Sequence, residues 1–184
     1  MSKIINKTLI FCTFLMLVFS ANVVLAKSFI GVIGAAVGEI KNQNEQLLKT
    51  GSKIFYGDTI LSSKESNAQI LFLDQTVLTL GEDTELFIDD FVYNSDTQEG
   101  NFVTEIKSGT VKFITGQISK LNPENLEVKL PEGTLGARGT EFVVLSQKNK
   151  ESTVVLLGPG PNNTLGMIPG SLQISDGTNM VNIT

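Results

Sequence analysis

The amino-acid sequence predicts an all-β fold, either a twisted β-sandwich or a β-solenoid-like domain of short strands with glycine-rich turns. After residue 27 the chain consists of short runs rich in valine, isoleucine, leucine, phenylalanine and threonine, which is the composition of strands. Turn residues interrupt these runs about every 8–12 residues, as they do in sandwiches and small barrels. No segment keeps a helical period of apolar residues over about ten positions, so long helices are not expected.

The predicted strands follow one another along the chain. They lie at residues 29–33, 35–40, 47–55, 59–61, 68–73, 77–80, 85–88, 91–93, 102–106, 110–114, 126–130, 142–145, 153–157, 172–174 and 180–183. The run 68–73 is apolar at both alternating sets of positions, which predicts a central strand covered on both faces.

Several connections also have a predicted form. Ser108-Gly109 predicts a tight hairpin between two strands. The polar segment 94–101 predicts an exposed hairpin loop, and 117–125 predicts another loop. Residues 44–49 are the best helix candidate, but this segment is too short to change the fold class.

Residues 1–26 have the parts of a secretory signal peptide. Lys3 and Lys7 give a positive start, an apolar stretch follows, and Val24 and Ala26 are the small residues that a signal peptidase reads. We therefore expect cleavage after Ala26 and export to the periplasm of a Gram-negative-type envelope, or secretion. An uncleaved membrane anchor is the alternative. No second apolar span follows, so no membrane insertion is expected after cleavage.

The composition restricts the functions to be considered. A net charge of −5 argues against nucleic acid and anionic membrane surfaces as partners. The chain has no histidine, and its one cysteine, Cys12, lies in the expected signal peptide, which excludes histidine triads and histidine or thiolate metal sites. The acidic stretch 82–96 lacks calcium-loop spacing and is expected to be a solvated face. We expect no metal, no cofactor and no enzymatic activity; a carboxylate-pair glycosidase is the enzymatic alternative.

Three motifs stand in a fixed order after the signal segment. They are a Gly-Asp-x-Ile turn at 57–60, a strand pair around an aspartate turn at 68–80, and an Arg-Gly-Thr element within 135–142. Together they resemble the FecR domain family over roughly residues 28–146. The resemblance implies a structural role for the motif residues Gly57, Asp58, Asp74, Arg138, Gly139 and Thr140. Gln75 departs from the family pattern, which often has glycine there, so the turn type is open.

The resemblance also implies a function. Full-length relatives are inner-membrane regulators whose outer domain is a periplasmic signalling or interaction module. Only Met1 to Thr8 precede the apolar segment here, so we expect a stand-alone exported member without a cytoplasmic sigma-factor-binding part. An envelope protein is the expected partner, and β-augmentation at a strand edge is one route to binding it. The alternative is a structural or surface-assembly protein of the envelope. The partner's identity, the oligomeric state and a role in iron uptake stay open.

Arg138 is the single arginine of the chain. Its guanidinium offers a rigid fork of five donors, and its neighbours Gly136 and Gly139 lie in an apolar stretch. We expect it to fold inward and brace strands by binding backbone carbonyls or a carboxylate, such as that of Asp74 or Asp58. A role in binding a partner is the alternative.

The expected organisation is a signal peptide at 1–26, a FecR-like β domain at 27–157, and a Gly/Pro/Asn-rich turn with terminal strands at 158–184. Strand signals continue to Thr184, so the domain either stops abruptly there or the sequence is truncated.

Overall fold

The computed structural model of the chain describes residues 28–147, 150–160, 162 and 167–184. The expected signal peptide and its cleavage site at Ala26 lie outside the described residues. Within them, no helix has the length and apolar character needed to cross a bilayer.

The described residues form fourteen strands, one short helix and one 3₁₀ turn, which confirms the all-β prediction. The strands are β1 Phe29–Val37, β2 Ile40–Asn42, β3 Lys53–Phe55, β4 Thr59–Ser62, β5 Asn67–Phe72, β6 Val77–Leu80, β7 Glu85–Tyr93, β8 Gly100–Ile114, β9 Leu126–Leu130, β10 Gly133–Arg138, β11 Glu141–Ser146, β12 Thr153–Gly158, β13 Ser171–Ser175 and β14 Met180–Ile183. Helix α1 is Gln117–Leu121, and the 3₁₀ turn Pro123–Asn125 follows it.

All the strands belong to one sheet that has two sections, joined by the long strand β8. The first section has the order β3-β1-β5-β6-β8-β11-β12. The second has the order β2-β4-β7-β8-β9-β10-β13-β14. Of these pairs only β8 with β9 is parallel, so hairpins account for most of the topology.

Strand β8 changes partners near its middle, at a glycine. Up to Ser108 it pairs with β7, and beyond it the strand pairs with β6 and β11. Gly109 has φ +97°, and a Cβ there would lie 2.3 Å from Thr84 Oγ1 and 2.4 Å from Thr84 Cα. The predicted hairpin at Ser108-Gly109 is therefore wrong. The glycine bends one continuous strand from the second section into the first instead of reversing it.

Aromatic rings join the two sections across a shared core. The Phe72 ring of the first section lies 4.7 Å from Phe102 and 5.5 Å from Phe91 of the second, centroid to centroid. Phe113 and Phe142 stack at 4.6 Å on neighbouring strands β8 and β11. The sections thus pack face to face over a continuous apolar cluster, and this packing holds the strands that carry the motifs.

Strand β5 is central, as predicted, because it pairs with β1 and β6. The expectation that both its faces are covered is wrong. Ile70 and Phe72 are buried, but Leu71 within the strand is 39% exposed, and Leu73 just beyond the strand is 48% exposed. Apolar residues at both alternating positions therefore indicate one buried face and one apolar outer face here.

The short helix does not form where the sequence predicts it. Residues 43–45 form a turn, in which Asn42 Oδ1 accepts hydrogen bonds from the backbone N–H of Asn44 and Gln46 at 3.0 and 3.1 Å, and Leu47 forms a β-bridge with Lys41. The helix lies instead at 117–121, inside the predicted loop 117–125, because a tertiary contact described below fixes its first residue.

The turn between β13 and β14 depends on one aspartate. Asp176 Oδ1 accepts hydrogen bonds from the backbone N–H of Asn179 and Thr178, at 2.6 and 2.8 Å. The Asn179 bonds, followed by that of Thr178, lower the pKa of Asp176 to about 2. The turn keeps these bonds to the carboxylate at neutral pH and loses them as the pH falls toward 2.

Candidate functional site

The motif residues occupy two places in the fold. Gly57 and Asp58 form the turn between β3 and β4, where Gly57 has φ +74°. Asp58 Oδ2 accepts the backbone N–H of Phe55 at 2.9 Å, and Asp58 O accepts that of Ile88 at 3.0 Å. This turn ties β3 and β4 to β7, which is a structural role.

Asp74 is the centre of a second, buried group. Its side chain is fully buried, and its carboxylate oxygens accept the backbone N–H of Thr76 at 3.0 Å and the Thr76 hydroxyl at 2.7 Å. The Thr76 hydroxyl oxygen accepts the Gly116 N–H at 3.0 Å, and Asp74 O accepts the Gln117 N–H at 2.8 Å. These bonds hold the first residues of α1 against the turn between β5 and β6.

Thr140 connects the ends of three strands. Its backbone N–H donates to Thr115 Oγ1 at 2.9 Å, and the Thr115 hydroxyl donates to Thr140 O at 3.0 Å. The Thr140 hydroxyl donates to the carbonyl oxygen of Gly158 at 2.9 Å. The end of β8, the start of β11 and the end of β12 are therefore fixed together.

Ser119 of α1 bonds to the chain on both sides of Arg138. Its hydroxyl donates to Ala137 O at 2.5 Å and accepts the Gly139 N–H at 3.3 Å. Gly139 has φ +51°, a conformation that glycine adopts without strain. The groups around Asp74, Thr140 and Ser119 meet along residues 115–119. We call them together the polar hub: Asp74, Thr76, Thr115, Ser119 and Thr140.

Arg138 lies at the surface, so the expected burial is wrong. Strand alternation in β10 directs Leu135 and Ala137 into the core and leaves Arg138 exposed. The Asp74 carboxylate, one of its expected partners, is instead bonded to Thr76. Among the described residues Arg138 makes no ion pair. The structural brace near the motif is the polar hub, and the arginine stands outside it.

A groove lies on the surface beside the polar hub. One pocket of about 410 Å³ has two cationic residues and four apolar ones around a glycine. An adjoining recess of about 400 Å³ shares Lys120, Gly139, Pro159 and Met167 with it and extends to Ile114 and Leu157. We call their combined apolar and cationic lining the rim groove: Ile114, Lys120, Arg138, Gly139, Leu157, Pro159, Met167, Ile168 and Pro169.

Apolar side chains in the rim groove are well exposed. The exposed fractions are 43% for Ile114, 51% for Leu157, 51% for Met167 and 74% for Ile168. Exposed apolar surface that is continuous and bordered by charges is typical of an interaction site.

Strand β12 borders this groove and forms an edge of the first sheet section. In the described part of the chain it pairs only with β11. Thr153–Gly158 contains no charged residue and no proline, although edge strands are usually protected by such residues. Val155, 48% exposed, points outward on the same face as Leu157.

The sequence did not indicate several of these residues. Thr76, Thr115 and Ser119 of the polar hub were not predicted, although an Asp-x-Thr spacing at 74–76 is typical of a side chain that caps its own turn. Lys120 and Met167 come to the rim groove from distant parts of the chain, and their sequence neighbourhoods give no signal for it.

The family model of the FecR protein matches residues 58–158. This is more than half of the chain, so the chain belongs to the FecR family, which is a signalling-related family. The matched region contains Asp58, Asp74 and the Arg138-Gly139-Thr140 element, together with all of the polar hub. No curated protein and no solved structure matches the chain.

Proposed function

We propose that this protein is a non-enzymatic signalling module that is exported to the bacterial envelope, where it binds another envelope protein. The observation that carries the proposal is the uncharged edge strand β12 with its outward apolar side chains. Membership of a signalling-related family supports it.

Binding would occur by β-augmentation, in which an extended segment of the partner adds a strand to the sheet. Backbone groups on the outer edge of β12 would hydrogen-bond the added strand, and Val155 and Leu157 would contact its alternate side chains. Full burial of an exposed aliphatic side chain contributes about 1.5–3 kcal/mol, and because Val155 and Leu157 are 48% and 51% exposed, covering each contributes about half of that to the binding free energy.

The motif chemistry supports a non-enzymatic role. The buried carboxylate of Asp74 accepts two bonds from Thr76, and Asp58 accepts the Phe55 N–H. These acids serve the structure of two turns, and neither is directed at the rim groove.

A charge on the outer face of β12 is expected to abolish partner binding. Val155→Lys places an ammonium group in the new strand interface, so recovery of a stoichiometric partner from envelope extract should fall at least about tenfold. Val92→Lys is the matched control, since Val92 is 61% exposed on β7, outside the groove. Equal recovery by Val155→Lys and wild type would contradict the proposed edge.

Export makes a separate prediction. The protein purified from the periplasm should begin at Lys27 when its N-terminus is sequenced. Ala26→Phe should accumulate an uncleaved membrane-bound precursor, because a bulky residue blocks recognition by the peptidase. Recovery of the wild-type chain with its first 26 residues from the cytoplasmic fraction would refute export.

A structural or surface-assembly role is the second candidate, and strand β14 favours it. Met180 and Val181 are 60% and 58% exposed, and in the described residues β14 pairs only with β13. Two open edges on one chain allow head-to-tail assembly of copies. A ladder of oligomers on a sizing column, without a heterologous partner in extract, would favour this role over the first.

A further inference from the structure

We propose that the rim groove binds an acidic side chain of the partner segment, held between Arg138 and Lys120 with an adjacent large apolar side chain in the pocket. The inference rests on the proposed function, because the segment that pairs with β12 is the one that delivers these side chains. The proposed partner segment is extended and apolar, with an aspartate or glutamate at the end that lies over Pro159.

The pocket differs in charge from the rest of the molecule. The chain is acidic overall, yet its single arginine lines the same pocket as Lys120. Four of the described lysines elsewhere form ion pairs with nearby acids, as Lys41 does with Glu39 at 2.8 Å and Lys107 with Glu85 at 3.1 Å. In the described part of the chain neither pocket cation has such an ion pair. The lining of this pocket thus carries two cations and no acid, while the acid of the adjoining recess, Glu141, is paired with Lys112.

The end of strand β12 directs an added segment toward the rim groove. Pro159 follows β12 directly and lines the pocket. Because proline has no N–H, an added strand cannot extend its ladder of bonds past this point. A segment paired with β12 would leave the sheet at Pro159 and place its next side chains in the rim groove.

The polar hub fixes the parts of this site relative to one another. Thr140 bonds the carbonyl of Gly158 at the end of β12, while Ser119 bonds the chain on either side of Arg138. The Gly170 N–H donates to Pro159 O at 2.8 Å, and a Cβ at Gly170 would lie 2.4 Å from Thr140, so this segment packs tightly against the hub. A preformed site of this kind loses little free energy to ordering on binding.

The lining matches the proposed occupant. A guanidinium fork binds a carboxylate through two parallel hydrogen bonds, and an adjacent ammonium group adds a second positive charge. Met167, Ile168 and Pro169 form an apolar wall beside these cations. A volume of about 410 Å³ accommodates one large apolar side chain together with the carboxylate.

A peptide selection tests the inference. The exported chain, residues 27–184, is used to select binders from a library of short random peptides held between two coat-protein domains. The selected peptides are then synthesised with amidated C-termini, so that side chains supply every carboxylate. We expect alternating apolar residues followed by an aspartate or glutamate next to a large apolar residue.

Affinities measured by fluorescence anisotropy then locate the acidic residue. Arg138→Gln and Lys120→Gln should each weaken binding about tenfold, and added salt should weaken binding to the wild type. Lys64→Gln is the matched control, since Lys64 is exposed on the turn before β5. Replacing the acidic residue of the peptide by its amide should weaken binding to the wild type by about the same tenfold factor. The same replacement should weaken binding to Arg138→Gln much less.

The outcomes separate this inference from the proposed function. If Val155→Lys weakens peptide binding but Arg138→Gln and Lys120→Gln do not, the inference about the cationic pocket is wrong and the proposed binding edge at β12 is still supported. Binders that ignore Val155→Lys would overturn both. Selected peptides without acidic residues, or a selection without binders, would also overturn the inference.

Discussion

Phe102→Ala is expected to lower the melting temperature by about 10 °C or more, the largest effect of any substitution proposed for this protein. Phe102 is fully buried on β8, and its ring lies 4.7 Å from Phe72 and 5.2 Å from Phe91. Truncation removes the Phe72–Phe102 contact between the two sheet sections and leaves a cavity. Such a change typically costs about 3–5 kcal/mol of the free energy of unfolding.

Thermal unfolding followed by circular dichroism measures this effect. Val92→Ala is the control, since that side chain is largely exposed and its loss should change the melting temperature by only about a degree. If Phe102→Ala melted within a few degrees of wild type, the two sections would not share the core described above.

Asp74→Ala is expected to have the second largest effect, a loss of about 3 kcal/mol in the free energy of unfolding. The substitution leaves the buried N–H and hydroxyl of Thr76 without their acceptor. It also loosens the contact that fixes Gly116 and the start of α1, so the polar hub loses one of its anchors.

Denaturant unfolding gives this free energy, and Asp96→Ala is the matched control because Asp96 lies exposed in the loop between β7 and β8. The hub variant should also lose affinity for a partner at β12, since the hub positions that strand end. An Asp74→Ala protein as stable as the Asp96→Ala control would show that the hub does not support the fold.

Strands that bury one face were predictable from local pattern. Leu126 and Val128 alternate with polar residues and form β9 as expected, and the apolar run 153–157 forms β12. The family could also be predicted, because the Gly-Asp, Asp and Arg-Gly-Thr elements keep their order. These signals are local in sequence, so they can be interpreted without knowledge of distant contacts.

The errors arise where distant contacts decide the structure. Gly109 in a Ser-Gly pair predicts a hairpin, but Thr84 packs against it and the strand continues. Helix α1 begins at Gln117 because Asp74, far away in sequence, accepts its N–H. Neither contact can be inferred from the local sequence pattern.

The site was predictable only in part. Asp74 and Thr140 are motif residues in the sequence, and in the structure both belong to the polar hub. Arg138 was placed inside because its neighbours are small and apolar. Side chains alternate along β10, so the burial of Ala137 requires Arg138 to point toward solvent. The sequence alone does not show which of the two faces the core, because that depends on the strand register.

Hydrogen exchange on β12 in complex with a partner tests the central claim most directly. In the proposed complex, β12 is the edge to which another protein adds a strand. Amides of 153–158 that point away from β11 should gain protection on binding, while those of the outlying strand β2 should not change. A complex in which the β12 amides exchange as fast as in the free protein would contradict the claim.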